Sequence, residues 1–277
     1  MSLEKTRGIV LRSTSLGEAD LLILLLTETG KKEKFIFKGL RKSKTRPKLA
    51  GEPGSFIEID YYFHRNKDVF NAKEFSLLER FSRAKENYLG YLTLSFLLEL
   101  NDKFLPGEEN PIAFLLLKKA LSALDEFGFQ HILLPYYKWR FLLFQGFVSD
   151  EFNCTQCNSP LEGEEFASLQ SDSLHIHCKK CSVSLENQIQ IVKLLKAISS
   201  KKYSRIREEE IPLLLISSLD HILNHFFLAN FSIELRSPEL LYQSMANEKL
   251  ELETTGESHE RAGNFKIESF GDHNSKN

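Results

Sequence analysis

A chain of 277 residues with 42% hydrophobic and 27% charged residues has the balance of a soluble globular protein, with room for two domains and a smaller module. The net charge of −2 excludes a uniformly basic nucleic-acid coat, so any such function must rest on a local concentration of charge. The longest N-terminal apolar run, residues 21–26 (LLILLL), is fenced by Asp20 and Thr27 and is too short to cross a bilayer. With no export-type apolar core ahead of it, the chain reads as cytoplasmic, with no membrane partner.

In chain order, residues 3–78 read as β-structure. Residues 8–12 are β-branched and apolar, and 19–27 suit a strand buried on both faces. Thr29-Gly30 makes a turn, and 31–39 alternates charge with hydrophobe. Residues 55–63 alternate again, with Glu58, Asp60 and Tyr62 on one face and Ile57, Ile59, Tyr61 and Phe63 on the other. A fifth strand over 69–77 completes a set that suits a small closed barrel.

The pattern then turns helical. Residues 88–105 are strongly apolar and stop at Pro106-Gly107. Asn110-Pro111 reads as an N-cap followed by proline at the first helical position, and Gly128 ends that helix. A third helix spans 131–146 and tolerates Pro135 near its start. Two further helices flank Lys201-Lys202, the second beginning with Glu208-Glu209-Glu210 and Pro212. The expected organisation is α+β and multi-domain. A β-barrel domain (1–80) precedes a helical domain (81–245) with a cysteine module inserted at about 150–185, and a polar, disordered tail follows (246–277).

The four cysteines form two pairs, Cys154-Thr155-Gln156-Cys157 and Cys178-Lys179-Lys180-Cys181. Each C-x2-C bends the backbone so that two thiolates converge, and two such knuckles complete a tetrahedral all-sulfur shell for one zinc ion. Four thiolates leave no position for water, so this zinc is expected to be structural. No thioredoxin-like pattern surrounds either pair, which weakens a redox reading. His175 and His177, beside Cys178, read as surface residues.

Residues 31–48 read KKEKFIFKGLRKSKTRPK. Nine are basic (Lys31, Lys32, Lys34, Lys38, Arg41, Lys42, Lys44, Arg46 and Lys48) against one acid, Glu33. Such concentration suits a groove that tracks phosphates, although a solvated charged hairpin has the same composition. Strand parity places Lys32, Lys34, Ile36 and Lys38 on one face and Phe35 and Phe37 on the other, so the two rings are expected in the core rather than as base-stacking platforms. A barrel with a basic face handles single strands or shape rather than major-groove sequence.

The chain resembles the bacterial recombination-mediator family RecO over nearly all of residues 1–245. The resemblance is carried by Arg7-Gly8-Ile9-Val10-Leu11-Arg12, Gly17-Glu18-Ala19-Asp20, Leu26-Thr27-Glu28-Thr29-Gly30-Lys31 and Lys38-Gly39-Leu40-Arg41-Lys42. Gly146-Phe147 ahead of the first cysteine pair and Leu235-Arg236-Ser237 complete it. It implies an N-terminal OB-fold, a helical domain with an inserted four-cysteine zinc finger, and no catalytic chemistry. Such proteins bind single-stranded and duplex DNA and anneal complementary strands. With RecR they help RecA replace single-stranded-DNA-binding protein at gaps, touching that protein's C-terminal tail, in the nucleoid. By the same resemblance Lys38, Arg41 and Lys42 are the best-matched DNA contacts. One departure stands out: the family often carries Gly-Gly shortly before the third cysteine, and this chain has Ser173-Leu174-His175-Ile176-His177.

Three other readings are weaker. A zinc deaminase needs an HxE motif beside an open metal position, and His175-Ile176-His177 offers no glutamate. A zinc-finger DNA glycosylase of the formamidopyrimidine type wants proline after the initiator methionine and a C-terminal finger, whereas position 2 is Ser2 and this finger is central. A protein–protein scaffold with an incidental basic loop differs from the mediator in not binding DNA.

Overall fold

The computed structural model describes residues 2–105 and 109–231; the expected polar tail and the Leu235-Arg236-Ser237 motif lie outside the described residues. Five strands come first: β1 (Ser2–Leu16), β2 (Asp20–Thr27), β3 (Lys32–Phe37), β4 (Phe56–Phe63) and β5 (Val69–Glu79). They close into a barrel in the order β1-β2-β3-β5-β4, with β4 returning to β1. All neighbours are antiparallel except β3 and β5, which run parallel and pair only from Lys34↔Val69 to Ile36↔Asn71.

The alternation expected for the fourth strand is present: Ile57, Ile59 and Tyr61 are buried, and Glu58, Asp60 and Tyr62 sit on the more exposed face. Phe35 and Phe37 are fully buried in the barrel core with Val10, Ile23, Leu25, Ile57 and Ile59. Phe37→Leu keeps an apolar side chain but removes the ring stacked on Phe75. The expected cost is about 1–1.5 kcal/mol, read as a lower urea midpoint; an unchanged midpoint would place that ring outside the energetic core.

The helical part comprises α1 (Tyr88–Phe104), α2 (Pro111–Phe127), α3 (Leu133–Phe144), α4 (Ile189–Ser200), a one-turn α5 (Tyr203–Ile206) and α6 (Leu213–Phe231). Between α3 and α4 lies a small two-stranded hairpin, β6 (Ala167–Leu169) and β7 (Ile176–Cys178). Among the described residues no helix is long and apolar enough to cross a membrane.

The apolar run of β2 is buried on both faces for a specific reason. Ile23 and Leu25 point into the barrel, while Leu24 and Leu26, with Ile9 and Leu11 of β1, belong to the core of the helices. Each such side chain withdrawn from water contributes about 1.5–3 kcal/mol. The barrel and the first helices therefore share a packed wall. Gly30, at φ +81° in the turn between β2 and β3, packs against the start of α2, and a Cβ there would collide with the backbone of Asn110.

Asn110 is at the N-cap position with Pro111 opening the helix, as expected, though its side chain makes no capping hydrogen bond. One expected helix start needs correction. Glu208, Glu209 and Glu210 precede α6 without entering its first turn. Glu208 and Glu209 meet adjacent cations instead, Lys201 Nζ lying 2.7 Å from Glu209 and Arg205 and Arg207 near Glu208.

Candidate nucleic-acid interface and metal centre

β3 delivers the basic segment to the mouth of the barrel. Past Ile36 and Asn71 the parallel ladder ends, so β3 and β5 separate. Phe37 closes the gap from within by stacking on Phe75, with centroids 4.1 Å apart and planes at 10°. The chain then turns across the opening, and Lys38, Gly39, Lys42, Ser43, Arg46 and Ala72 line an open depression of about 430 Å³. The Arg46 guanidinium lies 5.7 Å from the Phe75 ring centre and donates through Nη1 to the Lys38 carbonyl at 2.8 Å. Ser43 Oγ accepts from the Arg46 backbone N–H at 2.9 Å, which shapes the loop from inside.

The nine basic residues do not form one patch. Lys38, Lys42 and Arg46 share the depression. Arg41 is beside it, its Nη1 donating to the Gly17 carbonyl at 2.8 Å. Lys34, Lys44 and Lys48 are exposed. Lys31 and Lys32 lie at the other end of β3, about 20 Å from Lys38 along the strand. Lys31 faces Glu33 at 3.7 Å, and Lys32 Nζ donates to the Asp102 carbonyl at 2.8 Å. Burial holds the Lys32 ammonium below its ordinary value, with the Asp102 carboxylate opposing and the Arg12 cation adding to the fall. Strand parity correctly put Lys32 and Lys34 on the outer face, but at Lys32 that face meets the end of α1.

The four cysteine sulfurs lie within 4.8 Å of one another, and among the described residues no other cluster of ligating side chains is as close. Each knuckle is shaped by its backbone. Asn158 N–H donates to the Cys154 carbonyl at 2.8 Å with Asn158 in the left-handed region, and Cys181 and Ser182 donate to the Cys178 carbonyl. β7 ends at Cys178, and Thr155 N–H donates to the Ile176 carbonyl, so the hairpin carries the second knuckle to the first. Burial would raise the Cys154 thiol, but backbone hydrogen bonds at Cys178, Cys157 and Gln156 outweigh it and bring the thiol down to about 6. The Cys181 thiol is pushed up to about 12, first by its hydrogen bond to Cys157 and then by burial. Four sulfurs this close cannot all ionise without a cation among them, and the donor set fits a thiolate-loving divalent metal.

Where glycine was expected before the third cysteine, Leu174 adopts φ +57° and closes a turn, its N–H donating to the Gln170 carbonyl at 2.8 Å. A left-handed non-glycine residue costs about 1–2 kcal/mol. The Leu174 side chain offsets it by burial in the helical core. The departure thus leaves the metal knuckles undisturbed.

Sequence reasoning missed one pair. Lys138 of α3 is fully buried, and its Nζ meets Asp220 Oδ1 and Asn224 Oδ1 of α6, each at 2.6 Å, with the Phe96 ring centre at 4.8 Å. The available signal was one charge on an apolar helical face, between Leu134 and Phe141, matched by Asp220 between Ile216 and Leu223.

Comparison with known proteins agrees with this arrangement. Residues 1–81 match the family model described as Recombination protein O N terminal, and residues 70–239 match Recombination protein O C terminal. A DNA repair protein RecO from Leptospira biflexa serovar Patoc is 33% identical over 253 residues, covering 89% of this chain and 100% of that protein. Those of Thermoanaerobacter and Thermodesulfovibrio yellowstonii are 24% and 28% identical, covering 87% and 80% of this chain and 98% and 91% of theirs.

Proposed function

The chain belongs to the Recombination protein O family, whose members act in DNA repair and recombination, and on that premise we propose that it is a non-catalytic mediator that binds single-stranded and duplex DNA and anneals complementary strands. With RecR it promotes RecA loading onto gaps covered by single-stranded-DNA-binding protein, whose C-terminal tail it engages, in the cytoplasm and at the nucleoid. Residues 1–80 form an OB-fold that holds the DNA. The helical domain carries the protein partners and a structural zinc on Cys154, Cys157, Cys178 and Cys181.

The observation that carries this reading is the grouping of Lys38, Lys42 and Arg46 around one depression where β3 and β5 part. The β1-β2-β3-β5-β4 order supports the OB-fold assignment, since that fold is a five-stranded Greek-key barrel that binds oligonucleotides on its surface. Phosphates lie along this groove, and Lys31 and Lys32, turned toward Glu33 and Asp102, extend the positive field rather than grip the strand.

Annealing of complementary oligonucleotides coated with single-stranded-DNA-binding protein tests the whole reading. The chain should accelerate it, and no acceleration over buffer would overturn the mediator assignment. Binding tests the groove. Neutralising about five phosphates gives a log–log salt slope of roughly −3.5 on single strands, at about −0.7 per phosphate. Changing Lys38, Arg41 and Lys42 together to Ala should flatten that slope by about 2 and weaken all sequences alike, because phosphate contacts position a strand without reading bases. An unchanged slope would move the site off the barrel mouth.

A further inference from the structure

Resting on the DNA-binding reading, we propose that the β1–β2 turn, Gly17-Glu18-Ala19-Asp20, is the template that shapes the DNA-binding loop, with Asp20 as its positioning residue and Glu18 as an internal stand-in for a phosphate at Lys42. The turn and the loop are separated by all of β2 and β3 in sequence. They meet at the barrel mouth because β2 pairs with both β1 and β3.

Asp20, the first residue of β2, accepts a 2.7 Å hydrogen bond from the Gly39 backbone N–H through Oδ1. Gly39 has φ +68°, so it is the residue at which the chain leaves β3 and bends over the opening. A carboxylate on that N–H is a charge-assisted bond at the pivot of the loop. Two residues on, Arg41 N–H donates to the Ala19 carbonyl at 3.0 Å and Arg41 Nη1 to the Gly17 carbonyl. Glu18 completes the set: its Oε2 lies 2.6 Å from Lys42 Nζ. All four turn residues thus hold the segment from Gly39 to Lys42, two of them by main-chain carbonyls.

The two acids play different parts. Asp20 is half-buried and holds a backbone group that DNA does not need, so its contact survives binding. Glu18 is 87% exposed and occupies an ammonium that faces the depression, so an incoming phosphate must take its place. That exchange swaps one anion for another and lowers the net gain from Lys42.

The test uses the full chain, a fluorescent oligo-dT strand titrated at several salt concentrations, and exchange of the Gly39 amide followed by NMR. Asp20→Ala should speed Gly39 exchange and weaken binding about tenfold, the effect of one charge-assisted hydrogen bond. Asp20→Asn keeps an acceptor and should restore most of both, a rescue that simple loss of charge would not give. Glu18→Gln should tighten binding about two- to fivefold, the range of an exposed ion pair, and steepen the slope by up to about 0.7. If Asp20→Ala does not fold, Asp20→Asn and Glu18→Gln still decide. Wild-type affinity in a folded Asp20→Ala protein with an exposed Gly39 amide overturns the proposal, as does Glu18→Gln binding no tighter than wild type. Either result beside a weakened Lys38, Arg41 and Lys42 triple variant leaves the DNA-binding reading standing, whereas an unaffected triple variant removes that reading itself.

Discussion

Replacing Cys178 with Ser should remove bound zinc and lower thermal stability together, with Tm falling by more than about 10 °C. Binding free energy of a structural zinc is folding free energy, of order 10–16 kcal/mol for isolated fingers. The knuckles here are not isolated. Leu161, Ala167, Leu169, Leu174 and Ile176 of the module are buried in the helical core. β6 is tied to the start of α4, the Gln188 N–H donating to the Ala167 carbonyl at 2.7 Å and the Leu169 N–H to Gln188 Oε1 at 2.6 Å. Loss of the metal therefore loosens a wall of the helical domain as well as the hairpin. Chelation of the wild-type protein should have the same effect, reversed by adding zinc. DNA affinity should change little at temperatures where the barrel stays folded, because the basic loop and the cysteines occupy different parts of the chain. Protein purified without chelator that holds no zinc, or an absorption-edge spectrum showing oxygen or nitrogen in the shell, would overturn the all-sulfur assignment.

The barrel and the metal centre were legible because both are written in short-range pattern. Alternation in residues 55–63 gave the inner face of β4, and paired C-x2-C spacing gave the four cysteines that converge. What sequence periodicity cannot give is what covers an outer face. It put Lys32 beside Lys34, but only the docking of α1 makes Lys32 a partner of the Asp102 carbonyl. Likewise the apolar outer residues Leu24 and Leu26 announced that something covers β2 without saying what. The turn Gly17-Glu18-Ala19-Asp20 was visible as a motif, yet its link to Gly39 depends on strand order. Leu174 shows the converse: a non-glycine residue at positive φ has its compensation in side-chain burial, which no local pattern announces.

Lys138→Met should destabilise the protein by about 3–5 kcal/mol, or roughly 10 °C in Tm for a chain of this size. An ammonium and a carboxylate taken out of water each carry a desolvation penalty of several kcal/mol, repaid only while both are present and well bonded. The Lys138 ammonium is fully buried, and burial lowers its pKa while Asp220 supports the charged form. Methionine fills most of the lysine stem's volume, so the packing against Phe96 is largely kept and the measured loss reports the broken ion pair together with the lost bond to Asn224. Changing Asp220 as well, in Lys138→Met/Asp220→Leu, should recover much of that loss, because no buried carboxylate then remains facing an apolar group. A double variant more stable than Lys138→Met requires a coupling energy between α3 and α6 larger than the loss from Asp220→Leu alone. Additive losses would mean that the two charges are held by their surroundings separately, and the pair would not be what joins the two helices.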